Sequence, residues 1–267
     1  MLRDITIGQY YQTESVIHRL DPRVKLSSTV IFIISLFFFD NFWGYLCAAL
    51  LLGIVIRLSH VPFKFMIKGM RAIMLLLIFT VIFNLFLTPG EAVVSFWKLQ
   101  ITREGILMAA QMIIRLSMLI IGSSIMTLTT TPNNLTDGME KGLRPLKLLR
   151  VPVHEIAMMM SIALRFIPIL LEETDKIMKA QIARGADFES GNIFKKAKAM
   201  VPLLVPLFIS AFRRANDLAM AMEARCYRGG EGRTKMKPLI YKKRDILAYL
   251  VLFTYLAGSI TVGRILF

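Results

Sequence analysis

The chain has 267 residues, 55% of them hydrophobic, and carries a formal net charge of +15 from 33 Lys and Arg against 18 Asp and Glu. A mean hydropathy of +0.59 excludes an ordinary soluble domain. Charges and apolar runs occupy different parts of the chain, so the basic excess is not read as a nucleic-acid surface.

The N-terminus lacks the apolar core of a signal peptide, so no cleavage is expected. Apolar stretches at 24–39, 42–56, 72–87, 105–128 and 246–263 predict about five transmembrane helices. The first two are short, and Lys25 and Arg57 extend them by placing charged heads at the interface. Asp40-Asn41 between them predicts a tight helical hairpin. Basic residues flank alternate loops: Arg19, Arg23 and Lys25, then Arg57, Lys64, Lys68 and Arg71, then the segment after the fourth stretch. The opposite loops hold Asp40 and then Glu91, Lys98, Arg103 and Glu104. The positive-inside rule then places the N-terminus and the long basic insert in the cytoplasm, and the C-terminus outside. The expected organisation is a four-span membrane domain (1–128), a cytoplasmic module (129–244) and a final transmembrane helix (245–267).

The insert holds 21 basic and 11 acidic residues, which supplies ten of the fifteen net charges. Its apolar segments 156–171 and 200–212 each run into a charged helical stretch, which predicts interfacial helices; entry into the membrane stays open. Residues 160–185 and 202–226 form a weak repeat, offset by 41 residues when aligned on their Ala-Arg dipeptides. Both have an apolar, Pro-containing start and a charged middle. Glu172-Glu173 faces Arg213-Arg214 in that alignment, so crossing helices are expected to pair there. Ala183-Arg184-Gly185 and Ala224-Arg225-Cys226 end the two copies, each with an Arg in the last turn. One reading is plain C-capping, since Arg complements the helix dipole. The other is docking, because a planar guanidinium held at a helix tip suits an acidic groove on a partner.

Paired Ala-Arg tips, together with the opening phrase from Ser15 to Leu26 (SVIHRLDPRVKL), resemble the transmembrane coupling subunit, or T component, of energy-coupling factor transporters. The resemblance covers essentially the whole chain. It implies an all-α polytopic fold in a prokaryotic cell membrane and two ATP-binding cassette ATPase subunits as partners. It also implies one or more substrate-binding membrane subunits (S components) for vitamin or micronutrient uptake. By the same match, Ala183, Arg184, Gly185, Ala224, Arg225 and Cys226 are the ATPase-docking residues, with Cys226 standing where glycine is more usual.

No catalytic residue, metal site or cofactor is expected in the chain itself. There is no phosphate-binding loop, and the stretch from Gly229 to Lys235 has the wrong residue order. His18, His60 and His154 show no metal spacing, and Cys47 and Cys226 imply no disulfide framework. Arg115, deep in the fourth stretch, is either a lever or relay element or an Arg satisfied within the subunit. Nine of the 17 methionines lie in 129–244, as core gap-fillers or as a re-packable face for several S components. The rivals are a dedicated cobalt, nickel or single-vitamin subunit, a stand-alone secondary transporter, and a membrane scaffold.

Overall fold

The computed structural model describes residues 10–39, 41–96, 99–188, 192–230, 236 and 238–265. Residues 1–4, Asp40, Lys98 and residues 231–235, used above, lie outside the described residues. The chain forms two compact units, one built on Gly8–Gly142 and Leu239–Phe267, the other on Leu143–Pro238.

In the first unit, helix α1 (Pro22–Phe37) begins where chemistry favours a start. Asp21 is its N-cap and accepts the Arg23 N–H, while Pro22 takes the first turn, where a missing N–H costs nothing. Helix α2 (Phe42–Ser59) follows after four residues, so the apolar 24–56 region is a hairpin and not one span. It ends at His60 in the left-handed region, with Arg57 in the last turn. Helix α3 (Phe63–Leu87) starts earlier than its apolar run, because Lys64, Lys68 and Arg71 lower hydropathy without opposing a helix. Helix α4 (Arg103–Thr129) is capped by Thr102, whose hydroxyl accepts from the Gly105 N–H. Helix α5 (Pro132–Gly142) and, after the second unit, helix α8 (Lys243–Ile265) complete it.

A small antiparallel hairpin of strands β1 (Ala92–Phe96) and β2 (Leu99–Thr102) joins α3 to α4. It was not anticipated; the β-branched and aromatic residues Val93, Val94, Phe96 and Ile101 were its available signal.

The core of this unit joins α1, α2, α4 and α8. Phe32, Leu36, Tyr45, Ala48, Leu52, Ile125, Leu128, Leu252 and Tyr255 form one buried cluster. Helices α1 and α4 approach closely at Gly122, where a Cβ would meet the Phe32 ring at 2.8 Å. Large apolar side chains face outward instead: Phe38 is 79% and Leu75 80% exposed. That inversion fits helices solvated by hydrocarbon.

Among the described residues, four helical segments are long and apolar enough to cross a membrane: Phe42–Ser59, Arg103–Thr129, Val153–Ala183 and Lys243–Thr261. The protein is an all-α polytopic membrane protein with one short hairpin. Helix α1, at 16 residues, and the apolar Ile73–Leu87 part of α3 are shorter than a full span. The third of the four is the segment whose membrane entry the sequence left open.

Arg115 is satisfied inside the unit. Its Nε donates to the Tyr45 hydroxyl at 2.9 Å and its Nη2 to the Phe39 carbonyl at 3.1 Å. Tyr45 donates to the same carbonyl at 3.0 Å. The arginine thus ties α4 to the α1–α2 connection, where the last carbonyls of α1 lack helical partners. Asn84 donates to Thr80 O of its own helix at 2.8 Å.

The opening phrase is an anchor of buried polar bonds. Ser15 Oγ and His18 Nδ1 are 2.7 Å apart, and His18 Nε2 lies 3.0 Å from the Tyr11 carbonyl. A carbonyl only accepts, so Nε2 carries the proton and Nδ1 accepts from Ser15. Burial, with Lys25 and His60 adding charge repulsion, holds the His18 pKa below 6.5. Lys25 Nζ donates to the carbonyls of His18 (3.1 Å) and Thr129 (2.8 Å), joining the phrase to the end of α4. Asp245, only 1% exposed, accepts from the amides of Asp21 (2.8 Å) and Lys242 (2.7 Å). Arg23 grips both oxygens of Asp21, donates to Leu239 O and stacks on Tyr241.

Candidate functional site

The second unit consists mainly of two long helices, α6 (Val153–Ala183) and α7 (Ile193–Ala224). Pro168 lies inside α6, and Pro202 and Pro206 inside α7. Each helix continues through its prolines, held by the neighbouring turns. A proline leaves the carbonyl four residues earlier without its helical donor. For Pro206 that carbonyl belongs to Pro202, and Gln181 of α6 supplies the donor through Nε2 at 3.3 Å.

The expected pairing of the charged middles is present. Arg214 Nη2 donates to Glu173 Oε2 at 3.0 Å, between partly exposed side chains. Glu173 and Arg214 are 41 residues apart, the same offset that relates the two copies of the repeat. Each residue therefore meets its own counterpart, as residues do on a local two-fold axis. The sequence repeat and this contact together describe an approximate, pseudo-two-fold relation of the two copies about the Glu173–Arg214 crossing.

The direction of the helices follows from the other contacts. Gln181, beyond the crossing on α6, meets Pro202, which lies before the crossing on α7. Arg225 shares a cleft of about 620 Å³ with Met158, Ile162 and Arg165 from the first half of α6. The pair is antiparallel, so its two arginine tips point away from each other. Each tip lies eleven residues past the crossing, about 16 Å at the usual helical rise. The tips are separated by up to about 33 Å on the same rise.

The tips match in backbone as well as sequence. Arg184 is the C-cap of α6, and Gly185 follows in the left-handed region at φ 86°. Gly185 N–H donates to Ile182 O (3.0 Å) and Ala186 N–H to Gln181 O (2.9 Å). At the end of α7, Cys226 N–H donates to Glu223 O (2.8 Å) and Tyr227 N–H to Met222 O (3.0 Å). Both are Schellman caps, with Cys226 at φ 55° in the place of Gly185. Two of the terminal carbonyls of each helix accept from backbone amides, and neither guanidinium takes part in these cap bonds. Both arginines are exposed, their backbone N–H groups bond within the last turn, and among the described residues neither guanidinium has a hydrogen-bond or ion-pair partner. Ala183, Gly185, Ala224 and Cys226 are exposed beside them.

The charged crossing expected from the sequence is present, and the six residues stand at the ends of α6 and α7. Sequence reasoning did not give the antiparallel direction of the pair, which rests on contacts between distant turns. It also missed the cleft beside Arg225, where Arg165 and Arg228 lie with Met158 and Met222. Met159, Met160, Met200 and Met220 are exposed, which leaves an apolar, deformable surface on these helices.

The family model CbiQ, described as a cobalt transport protein, matches residues 13–236. A protein of Clostridium kluyveri called energy-coupling factor transporter transmembrane protein EcfT is 55% identical over 262 residues, 97% of each chain. The protein of the same name from Ruminiclostridium cellulolyticum is 51% identical over 267 residues, the whole of both chains. That of Bacillus subtilis is 47% identical over 246 residues, 92% of this chain and 93% of its own.

Proposed function

This chain belongs to the CbiQ family as a transmembrane component of the energy-coupling factor type, and from that premise we propose that it couples two ATPase subunits to a substrate-binding membrane subunit. Arg184 and Arg225 are the docking anchors, supported by Ala183, Gly185, Ala224 and Cys226. ATP hydrolysis belongs to the partners, and this chain is a mechanical, non-catalytic subunit of a prokaryotic cell membrane.

The observation that carries this reading is the pseudo-two-fold pair of unpartnered arginine tips. Two equivalent tips at opposite ends of one crossing suit two equivalent receptors, as a dimer of ATPases would offer. A single receptor has no use for the symmetry. A rocking motion of that dimer then turns α6 and α7 about the Glu173–Arg214 crossing, and residues 129–244 pass it to the membrane helices of 1–128 and 245–267.

The module is cytoplasmic or interfacial on this reading, with the N-terminus on the same side. Helix α6 has the length to cross a bilayer, but its first half packs beside Arg225 and Arg228 and itself contains Arg165. A crossing α6 would carry three arginines into hydrocarbon, at a cost of about 2.5–3.5 kcal/mol each near the centre.

The exposed methionines support a shared unit that accepts several S components. The cobalt description of the family model favours the second reading, a dedicated metal importer. Affinity purification in mild detergent separates the two: several small membrane partners for the shared unit, one for the dedicated unit. The anchor assignment is tested by Arg184→Ala with Arg225→Ala. Transport and ATPase pull-down are both lost, while membrane insertion survives. Normal ATPase association in that double variant would sink the assignment.

A further inference from the structure

We propose that the first unit binds one anionic phospholipid, with an acyl chain in the groove between α1, α2, α4 and α8 and its phosphate against Arg244 and Lys25. The groove encloses about 260 Å³ and its walls are almost wholly apolar, with Phe32, Leu52, Ile125 and Leu252 at its back. Val16, Ile54, Leu247 and Val251 on its rim are exposed, so it opens toward the side that lipid covers.

Lys25 and Arg244 are the only charged residues of its lining, and they lie close enough to repel each other. The Nε of Arg244 is buried and lacks a hydrogen-bond partner among the described residues. Of the acids nearby, Asp21 is bonded by Arg23 and Asp245 by the amides of Asp21 and Lys242; both attract Lys25, and among the described residues neither makes a side-chain bond to Lys25 or Arg244. Lys25 spends two N–H groups on carbonyls and keeps a third. An apolar slot with two adjacent, mutually repelling cations at one end is complementary to an amphiphile with an anionic head. A zwitterionic lipid brings its own cation and relieves the repulsion less.

The test is native mass spectrometry of the full chain in mild detergent, titrated with phosphatidylglycerol or phosphatidylcholine. One phosphatidylglycerol per chain is expected to be retained, with affinity about tenfold above phosphatidylcholine. Arg244→Gln should remove that preference, whereas Arg57→Gln, an exposed interfacial arginine outside the groove, should keep it. Should Arg244→Gln fail to fold, Ala248→Phe fills the slot and must also release the lipid. Equal retention of the two lipids, or equal losses in the Arg244 and Arg57 variants, means annular lipid only and overturns the proposal. A photo-crosslinker at Ala248 that captures a membrane protein instead of lipid overturns it as well.

Discussion

Two arginines, Arg115 and Arg225, carry the same charge and opposite fates. Arg115 is enclosed by Tyr45 and the Phe39 carbonyl, so it belongs to the architecture of the membrane helices. Replacing it with Leu removes both of its bonds, although Tyr45 still donates to the Phe39 carbonyl, and a hydrogen bond to a charged group is worth about 1.5–3 kcal/mol. Arg115→Leu should lower the melting temperature in detergent while leaving ATPase pull-down by the surviving protein unchanged. Selective loss of docking would show that the lever reading was right. Cys226 poses a backbone question, since a side chain at φ 55° is strained where glycine is not. Cys226→Gly should be neutral or stabilising by up to about 1 kcal/mol, and Cys226→Val destabilising by about 1–2 kcal/mol. Hydrogen exchange at the last turn of α7 reads both. His18 sets a pH dependence. Its folded pKa lies below 6.5, so as pH falls past 6.5 the unfolded chain takes up the proton first. The anchor therefore loses stability below pH 6.5, until the folded His18 is protonated too. Melts between pH 7.5 and 5 should show this slope, and His18→Gln should flatten it. An identical slope in the variant assigns it to another group.

At the scale of elements, most helices were legible because apolar runs and their charged ends are properties of local sequence. Helix α3 was under-read by nine residues, since hydropathy stops at Arg71 while the backbone does not. The hairpin β1–β2 was missed because a strand pair of this length draws its order from pairing, not from a local period. Helix α6 was cut into an apolar start and a charged end, yet one helix runs through both because Pro168 removes one hydrogen bond and its neighbours hold. The ends of α6 and α7 were better legible than their scaffold. Arg184 and Arg225 stand in short repeated words, whereas the antiparallel crossing is a tertiary fact. The crossing itself predicts a separation of roles. A half-exposed ion pair contributes only about 0–1 kcal/mol, so Glu173–Arg214 sets register more than stability. Glu173→Arg should reduce transport with little change in melting temperature, and adding Arg214→Glu should restore it. A swap that stays inactive would mean that the pair does not set the register.

For the whole molecule, the pseudo-two-fold arrangement makes geometry, not charge, the decisive quantity. If both tips must reach their receptors at once, shortening one arm is as harmful as removing its arginine. Deleting residues 174–180 removes two helical turns between Glu173 and Arg184. The tip then moves inward by about 10 Å, with a rotation of only about 20° about the helix axis. The chain should then retain one ATPase copy in place of two, with Arg184 present and the α7 tip untouched. Deleting residues 215–221 removes the matching turns of α7 and, by the same symmetry, should give the same stoichiometry. Both deletions keep every proposed docking residue. A simple basic patch would tolerate them, because electrostatic attraction falls off gradually with distance. Retention of two ATPases by either shortened chain would show that the tips act as independent charges. A drop to one in both identifies the crossing as the fulcrum of a lever with two equal arms.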